Sequence, residues 1–343
     1  MGIRVTWLFA VTCFLVSCLA SYLLARYAPK LKLVAIPGGH RQHSVDTPVV
    51  GGLAICFGLV FGWLGLSSPT TGLIFCLTLI CLLGVIDDIY ALPSWSRFIA
   101  QGAITYLMIK LTGVQLLSLG TLFTNQELLL GAWSMPVTIF ATIGVINAIN
   151  MSDGLDGLAG SLTLLVLLAL FYISGFESLL IIVSLMSVAG FLVWNLRIKR
   201  VRAYIFMGDA GSMMLGLLLS FLLISYSQMS SGFMPVTALW LLALPLMDAV
   251  AVLLVRPLRG KSPFQADRLH YHHQLQDKGL GVNLTLLLVL LSQVIFIVTG
   301  LLLWLNNVNE NLQLAFFLCL FLAYAIRLYK FSAKEQRAKN TAQ

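Results

Sequence analysis

NAINMSDGLDGLAGS, residues 147–161, puts two aspartates, Asp153 and Asp156, among glycines between two long apolar runs. The chain has only 13 acidic residues in 343 and is 59% hydrophobic, so a polar island at this place needs a reason. Mean hydropathy is +0.94 and charged residues make up 10%, which excludes an ordinary soluble globule. Apolar runs long enough to cross a hydrocarbon core of about 30 Å recur along the chain and predict an all-α, polytopic membrane bundle.

Eleven spans are expected, at residues 5–25, 48–66, 70–87, 98–117, 133–149, 158–174, 177–195, 211–227, 235–255, 283–305 and 312–329. All belong to one membrane-embedded domain over 1–343, with a large loop at 256–282 and a tail at 330–343. The first run is longer than the apolar core of a signal peptide and reads as a retained helix. The cysteines all fall inside apolar runs and read as small hydrophobes.

Charge sets the expected orientation. One alternate set of loops carries Lys30, Lys32, Arg41, Arg97, Arg197, Lys199, Arg200, Arg202, Arg256, Arg259, Lys261, Arg268 and Lys278, and the tail adds more. The opposite loops hold Glu127, Glu177 and Glu310. The positive-inside rule therefore predicts an outside N-terminus and a cytoplasmic C-terminus. The net charge of +8 follows from topology and an anionic ligand, and nucleic acid is not an expected partner.

Under this threading all nine aspartates lie toward the cytoplasmic side, which topology alone does not require. Carboxylates at several helix ends, beside basic and histidine-rich loops, predict a cytoplasm-facing cleft for a phosphorylated substrate and a hard cation. Asp87 and Asp88 in GVIDDIY repel each other unless a cation or proton is shared. In helical backbone, Asn147, Asn150, Asp153 and Asp156 recur every three residues along one face, whereas a plain capping turn accounts for only one or two of them. Asp209 in FMGDAGS is a metal-ligand candidate or simply a helix cap. His270, His272 and His273 in RLHYHH offer sugar or phosphate contacts, with zinc disfavoured for want of a nearby cysteine. His40, Arg41, His43 and Asp46 form a weaker group. Asp248, in LPLMDAV, is an intramembrane acid, either functional or the partner of a basic side chain.

Jointly, TPVVGG, GVIDD, NAINMSDGLDGLAG, FMGDAGS and SPFQADRLHYHH resemble the polyprenyl-phosphate N-acetylhexosamine-1-phosphate transferases of glycosyltransferase family 4. The loop form is similar to the bacterial N-acetylglucosamine-1-phosphate branch more than to the muramoyl-pentapeptide branch. The resemblance implies transfer of a sugar 1-phosphate from UDP-N-acetylglucosamine to undecaprenyl phosphate in the bacterial inner membrane, releasing UMP, with Mg²⁺ or Mn²⁺ as cofactor. It implies Asp209 and Asn150 as metal ligands, Asp87, Asp88 and Asp156 as catalytic acids, and Asn147, Asp153, Arg268, His270, His272 and His273 on the nucleotide and sugar side. One departure stands out: members often carry DDxxD, and here the third acid is Ala91. Direct attack and an aspartyl-phosphate intermediate both remain open, as do the donor sugar, the downstream polymer (O-antigen or another surface glycan) and the oligomeric state. The alternative from another class is a secondary transporter, which would place acids near the midplane in paired repeats.

Overall fold

The computed structural model describes residues 3–35, 46–64, 70–123, 126–230, 232–263 and 267–341. His40, Arg41 and His43 lie outside them. Among the described residues the regular structure is helical, apart from a two-stranded antiparallel pair, β1 (Val34–Ala35) and β2 (Thr47–Pro48). It divides into two compact units, Met1–Leu116 with Gly131–Tyr226, and Leu117–Leu130 with Ser227–Gln343.

The first unit holds α1 (Ile3–Tyr27), α2 (Gly51–Trp63), α3 (Thr71–Tyr90), α4 (Ser94–Thr112), α5 (Ser134–Met151), α6 (Leu158–Ile173), α7 (Leu179–Asn195) and α8 (Gly208–Ser227). Helices α1, α2 and α7 pack mutually, α6 lies on α7, and α3, α4 and α5 follow in series. Most of α8 is buried, including Met213, Met214, Leu217 and Leu218.

Close backbone approach places the start of α8. A methyl group on Gly52 of α2 would strike the backbone of Ala210 and Gly211, and one on Gly84 of α3 would strike Asp209 and Ala210. Small residues let helices approach to this distance in an apolar bundle. The TPVVGG segment completes the grip. Gly51 and Gly52 donate their N–H groups to the carbonyls of Phe206 and Met207, each at 2.9 Å, and Phe206 N–H donates to Pro48. The first turn of α2 thus satisfies its free donors with another segment's carbonyls and needs no side-chain cap.

The second unit holds α9 (Pro235–Leu241), α10 (Ala243–Val255), α11 (Tyr271–Asp277), α12 (Val282–Leu305) and α13 (Glu310–Thr341). Trp240, Ala243, Met247 and Phe317 form its buried apolar centre. α9 and the helical stretch from Ala243 meet at an 83° bend. The buried Gln293 amide covers the broken ladder, accepting from Leu244 N–H (3.1 Å) and donating to Leu241 O (2.7 Å). A broken helix persists among apolar helices only when the freed groups find such partners. The loop Leu117–Leu130 belongs to this unit, where Gln228 accepts the N–H groups of Leu117 and Ser118 and Glu310 those of the Thr121 amide and hydroxyl.

Each of the eleven expected segments overlaps a helix. Among the described residues six helices are long and apolar enough to cross a membrane, or seven if the bent pair is one span. Expected spans 48–66, 158–174 and 177–195 fall on shorter apolar helices of 10–17 residues, and Arg97, Gln101 and Lys110 interrupt the apolar run of α4.

Candidate active site

The acidic cluster of the first unit is built where α3, α5 and α8 end or begin. Asp88, in the last turn of α3, accepts the backbone N–H groups of Asp209 (3.0 Å) and Ala210 (3.2 Å). It therefore caps α8 from another helix, using two of the donors that every helix N-terminus leaves free. Gly208 makes the entry with φ +74, and a methyl there would meet the Asp88 carboxylate. The start of α8 is thus capped by Asp88 and not by Asp209, whose side chain turns to its own partners.

Asp209 is about one-third exposed at its side chain. It accepts from the Asn150 amide (2.5 Å) and lies 4.0 Å from Arg97. Asn150 also donates to Ser212 Oγ (2.9 Å), while its Oδ1 has no protein partner among the described residues. Asp87 is buried and saturated, accepting from Leu92 N–H (2.7 Å) and pairing with Arg97 (2.9 Å). Arg97 was read from sequence only as a topology charge. Its value depends on α4 folding back on α3, for which the turn after the left-handed Ala91 (φ 50) and Pro93 is responsible. Ala91 thus sits where the chain closes α3, donating its N–H to Asp87 O.

The helical face expected for 147–156 is corrected. α5 stops at Met151, and residues 152–157 form a turn. Asn147 faces Gln101, donating at 2.8 Å, and Gln101 in turn donates to the Met213 sulfur. Asp156 is fastened to Arg197 (2.6 Å) and Ala203 N–H (3.1 Å). Asn195 locks the same turn, accepting from Gly157 N–H and donating to Ile205 O, both at 2.8 Å. Asp153 is different. Among the described residues its carboxylate receives no hydrogen bond, and burial, together with the charges of Asp209, Asp88 and Asp156, pushes its pKa well above the usual carboxylate range.

No three His, Cys, Asp or Glu side chains among the described residues gather into a metal cage. Mg²⁺ does not ask for one. It commonly takes one or two carboxylates and substrate phosphate while keeping its waters. Among the described residues, a carboxylate without a hydrogen bond at Asp153, a one-third-exposed one at Asp209 and an amide oxygen without a protein partner at Asn150 fit that demand.

In the second unit, the histidine segment opens α11. His270 Nδ1 bonds Asp248 (2.8 Å), and the rings of His270 and His272 stack at 5.8 Å. Burial, with His273 and His270 beside it, pushes the His272 pKa down to about 3, and its Nε2 is buried without a partner. His273 is shifted down as well, by burial and by Arg268. Both rings are neutral at pH 7. Arg268 pairs with Asp277 (2.6 Å) and stays partly exposed.

Residues 70–227 match the family model for glycosyl transferase family 4. The undecaprenyl-phosphate alpha-N-acetylglucosaminyl 1-phosphate transferases of Salmonella typhi and Escherichia coli K12 are each 32% identical, over 92% of this chain and 88% of theirs. That of Haemophilus influenzae is 34% identical over 85% of both chains. With the acid motifs and the histidine segment lying inside the matched length, the chain belongs to glycosyl transferase family 4, among the polyprenyl-phosphate N-acetylhexosamine-1-phosphate transferases.

Proposed function

We propose that the protein transfers N-acetylglucosamine 1-phosphate from UDP-N-acetylglucosamine to undecaprenyl phosphate, releasing UMP. It acts as a multi-pass protein of the bacterial inner membrane, in the biogenesis of lipopolysaccharide or another surface glycan. Similarity to the named relatives supports the reaction class. The observation that carries the site is the set of under-compensated carboxylates Asp153 and Asp209 beside the Asn150 amide and the Arg97 cation. Family membership implies dependence on a divalent cation.

In this reading a lipid phosphate oxygen attacks the β-phosphorus of the donor. The new P–O bond forms as the bond to the bridging oxygen breaks, and UMP leaves with that electron pair. Asp209 and the Asn150 amide oxygen would hold Mg²⁺ or Mn²⁺, which supplies charge neutralisation on the diphosphate and the departing UMP. Arg97 offsets the meeting of two anions. Lipid phosphate is already nucleophilic near neutral pH, its second pKa being about 6, so positioning matters more than proton removal. Asp88 acts chiefly by holding Asp209 in place, and Asp156 by fixing the turn that carries Asp153. The histidines of the 256–282 loop contact the sugar. Eleven spans, with the basic loops and tail cytoplasmic, give the orientation that brings the acids to the UDP-sugar's side of the membrane.

The test is UMP release by purified protein in nanodiscs. Release from UDP-N-acetylglucosamine that requires both undecaprenyl phosphate and Mg²⁺ is the expected result. Turnover only with UDP-N-acetylmuramoyl-pentapeptide would move the protein to the other branch. A phospho-enzyme trapped without lipid would replace direct attack by double displacement.

A further inference from the structure

Asp248 has no part in the reaction described above, yet it is buried in the apolar helix α10, 6% exposed. Its carboxylate receives three donors of the second unit. These are the His270 ring at Nδ1 (2.8 Å), the Tyr271 backbone N–H (3.0 Å) and the Tyr324 hydroxyl of α13 (2.5 Å). Two donors would suffice to fasten α11 to α10 and α13. The third is a histidine of the segment read above as the sugar contact.

A carboxylate at Nδ1 makes that nitrogen the protonated one in the neutral ring, leaving Nε2 as an acceptor. Among the described residues Nε2 of His270 has no protein partner. The ring is held on its face by His272, with planes only 9° apart. Tyr324 is itself held, because Arg327 lies over the Tyr271 and Tyr324 rings and donates to Gln274.

We infer that Asp248 is a positioning residue for donor recognition: it selects the tautomer and orientation in which His270 Nε2 accepts a hydroxyl or acetamido N–H of the N-acetyl sugar. The inference rests on the reading of His270 as a donor contact. Asp248→Asn replaces a pure acceptor by a group with two N–H donors of its own, so it cannot serve all three neighbours.

Steady-state kinetics of the full-length enzyme in nanodiscs, varying UDP-N-acetylglucosamine at saturating undecaprenyl phosphate, test this. Asp248→Asn raises KM for the donor about tenfold or more, the usual scale for partners that orient a working histidine, and changes kcat far less. His270→Ala raises KM similarly, and Asp248→Asn in the His270→Ala background adds nothing. Asp248→Glu, which keeps the acceptor but displaces it, is the second variant if the first does not fold, and it too raises KM. If His270→Ala leaves KM unchanged, the sugar-contact reading itself fails. If His270→Ala raises KM while folded Asp248 variants keep it within twofold, or if the two effects multiply, the positioning role is overturned and Asp248 is only a fastening.

Discussion

The two units differ in how completely they compensate their carboxylates. In the second, Asp248 is surrounded by a histidine, a tyrosine and a backbone amide, and Arg256 grips Asp267 through two nitrogens at 3.0 and 3.2 Å. In the first, backbone amides and Arg97 or Arg197 satisfy Asp87, Asp88 and Asp156, but Asp153 receives no hydrogen bond among the described residues and Asp209 is held by an amide. A saturated carboxylate aims another side chain, whereas an under-compensated one attracts a cation. The contrast separates saturated acids from under-compensated ones.

Asp209→Asn tests the contrast most severely. Activity measured as UMP release falls roughly a thousandfold, the scale of losing a key charge-stabilising group, while thermal stability is kept. Full activity with unchanged Mg²⁺ dependence would end the metal assignment. Asp153→Asn costs on the order of a hundredfold in rate, a typical loss for a catalytic-site acid, yet raises the melting temperature in the absence of divalent cations. The sign follows from the raised pKa of Asp153. Its ionisation is penalised in the folded state, so wild-type stability is lost as pH rises through that range, and the neutral amide removes the loss. A lowered melting temperature would mean that Asp153 is fastened like the others.

Asp156→Asn and Arg197→Gln sharpen the other side. Each loses about 1–3 kcal/mol of stability, the cost of stranding a charged hydrogen-bond partner, and the double variant loses little more. Activity lost only in Asp156→Asn would return Asp156 to direct chemistry. The smallest effect concerns His272. Because its folded pKa of about 3 lies below the unfolded value of 6.5, the unfolded chain takes up a proton first as pH falls. Stability therefore declines from pH 6.5 downward by up to about 1.4 kcal/mol per pH unit. Denaturation curves of His272→Phe should have a shallower slope over this window.

Much of this was legible in the sequence because apolar runs and acid motifs are local signals. The pattern located a helix at every expected span, and the acids that gather in the first unit were named from their motifs. What it missed depends on chain segments far apart. Asp88 acquires its role from amides 121 residues away, and nothing in GVIDDIY announces a cap for another helix. Asp156 left the expected helical face because α5 ends at Met151 and the backbone turns, with Gly157 at φ +81, to where Arg197 meets it. Among the described residues six helices combine the length and apolarity of a span, while α2, α6 and α7 carry the apolarity over a shorter length. Arg97 was visible as a charge, but its two carboxylates appear only once α4 packs against α3.

The capping of α8 by Asp88 also sets a timetable for synthesis. At about 5–20 residues per second, the 121 residues between Asp88 and Asp209 take on the order of ten seconds to emerge. Through that interval α3 exists with an anionic last turn whose partners have not been made. Its place at the end of the helix lets water serve in the meantime. The acidic cluster of the first unit is thus completed by a late arrival, and the nascent chain carries Asp88 well before the start of α8 reaches it.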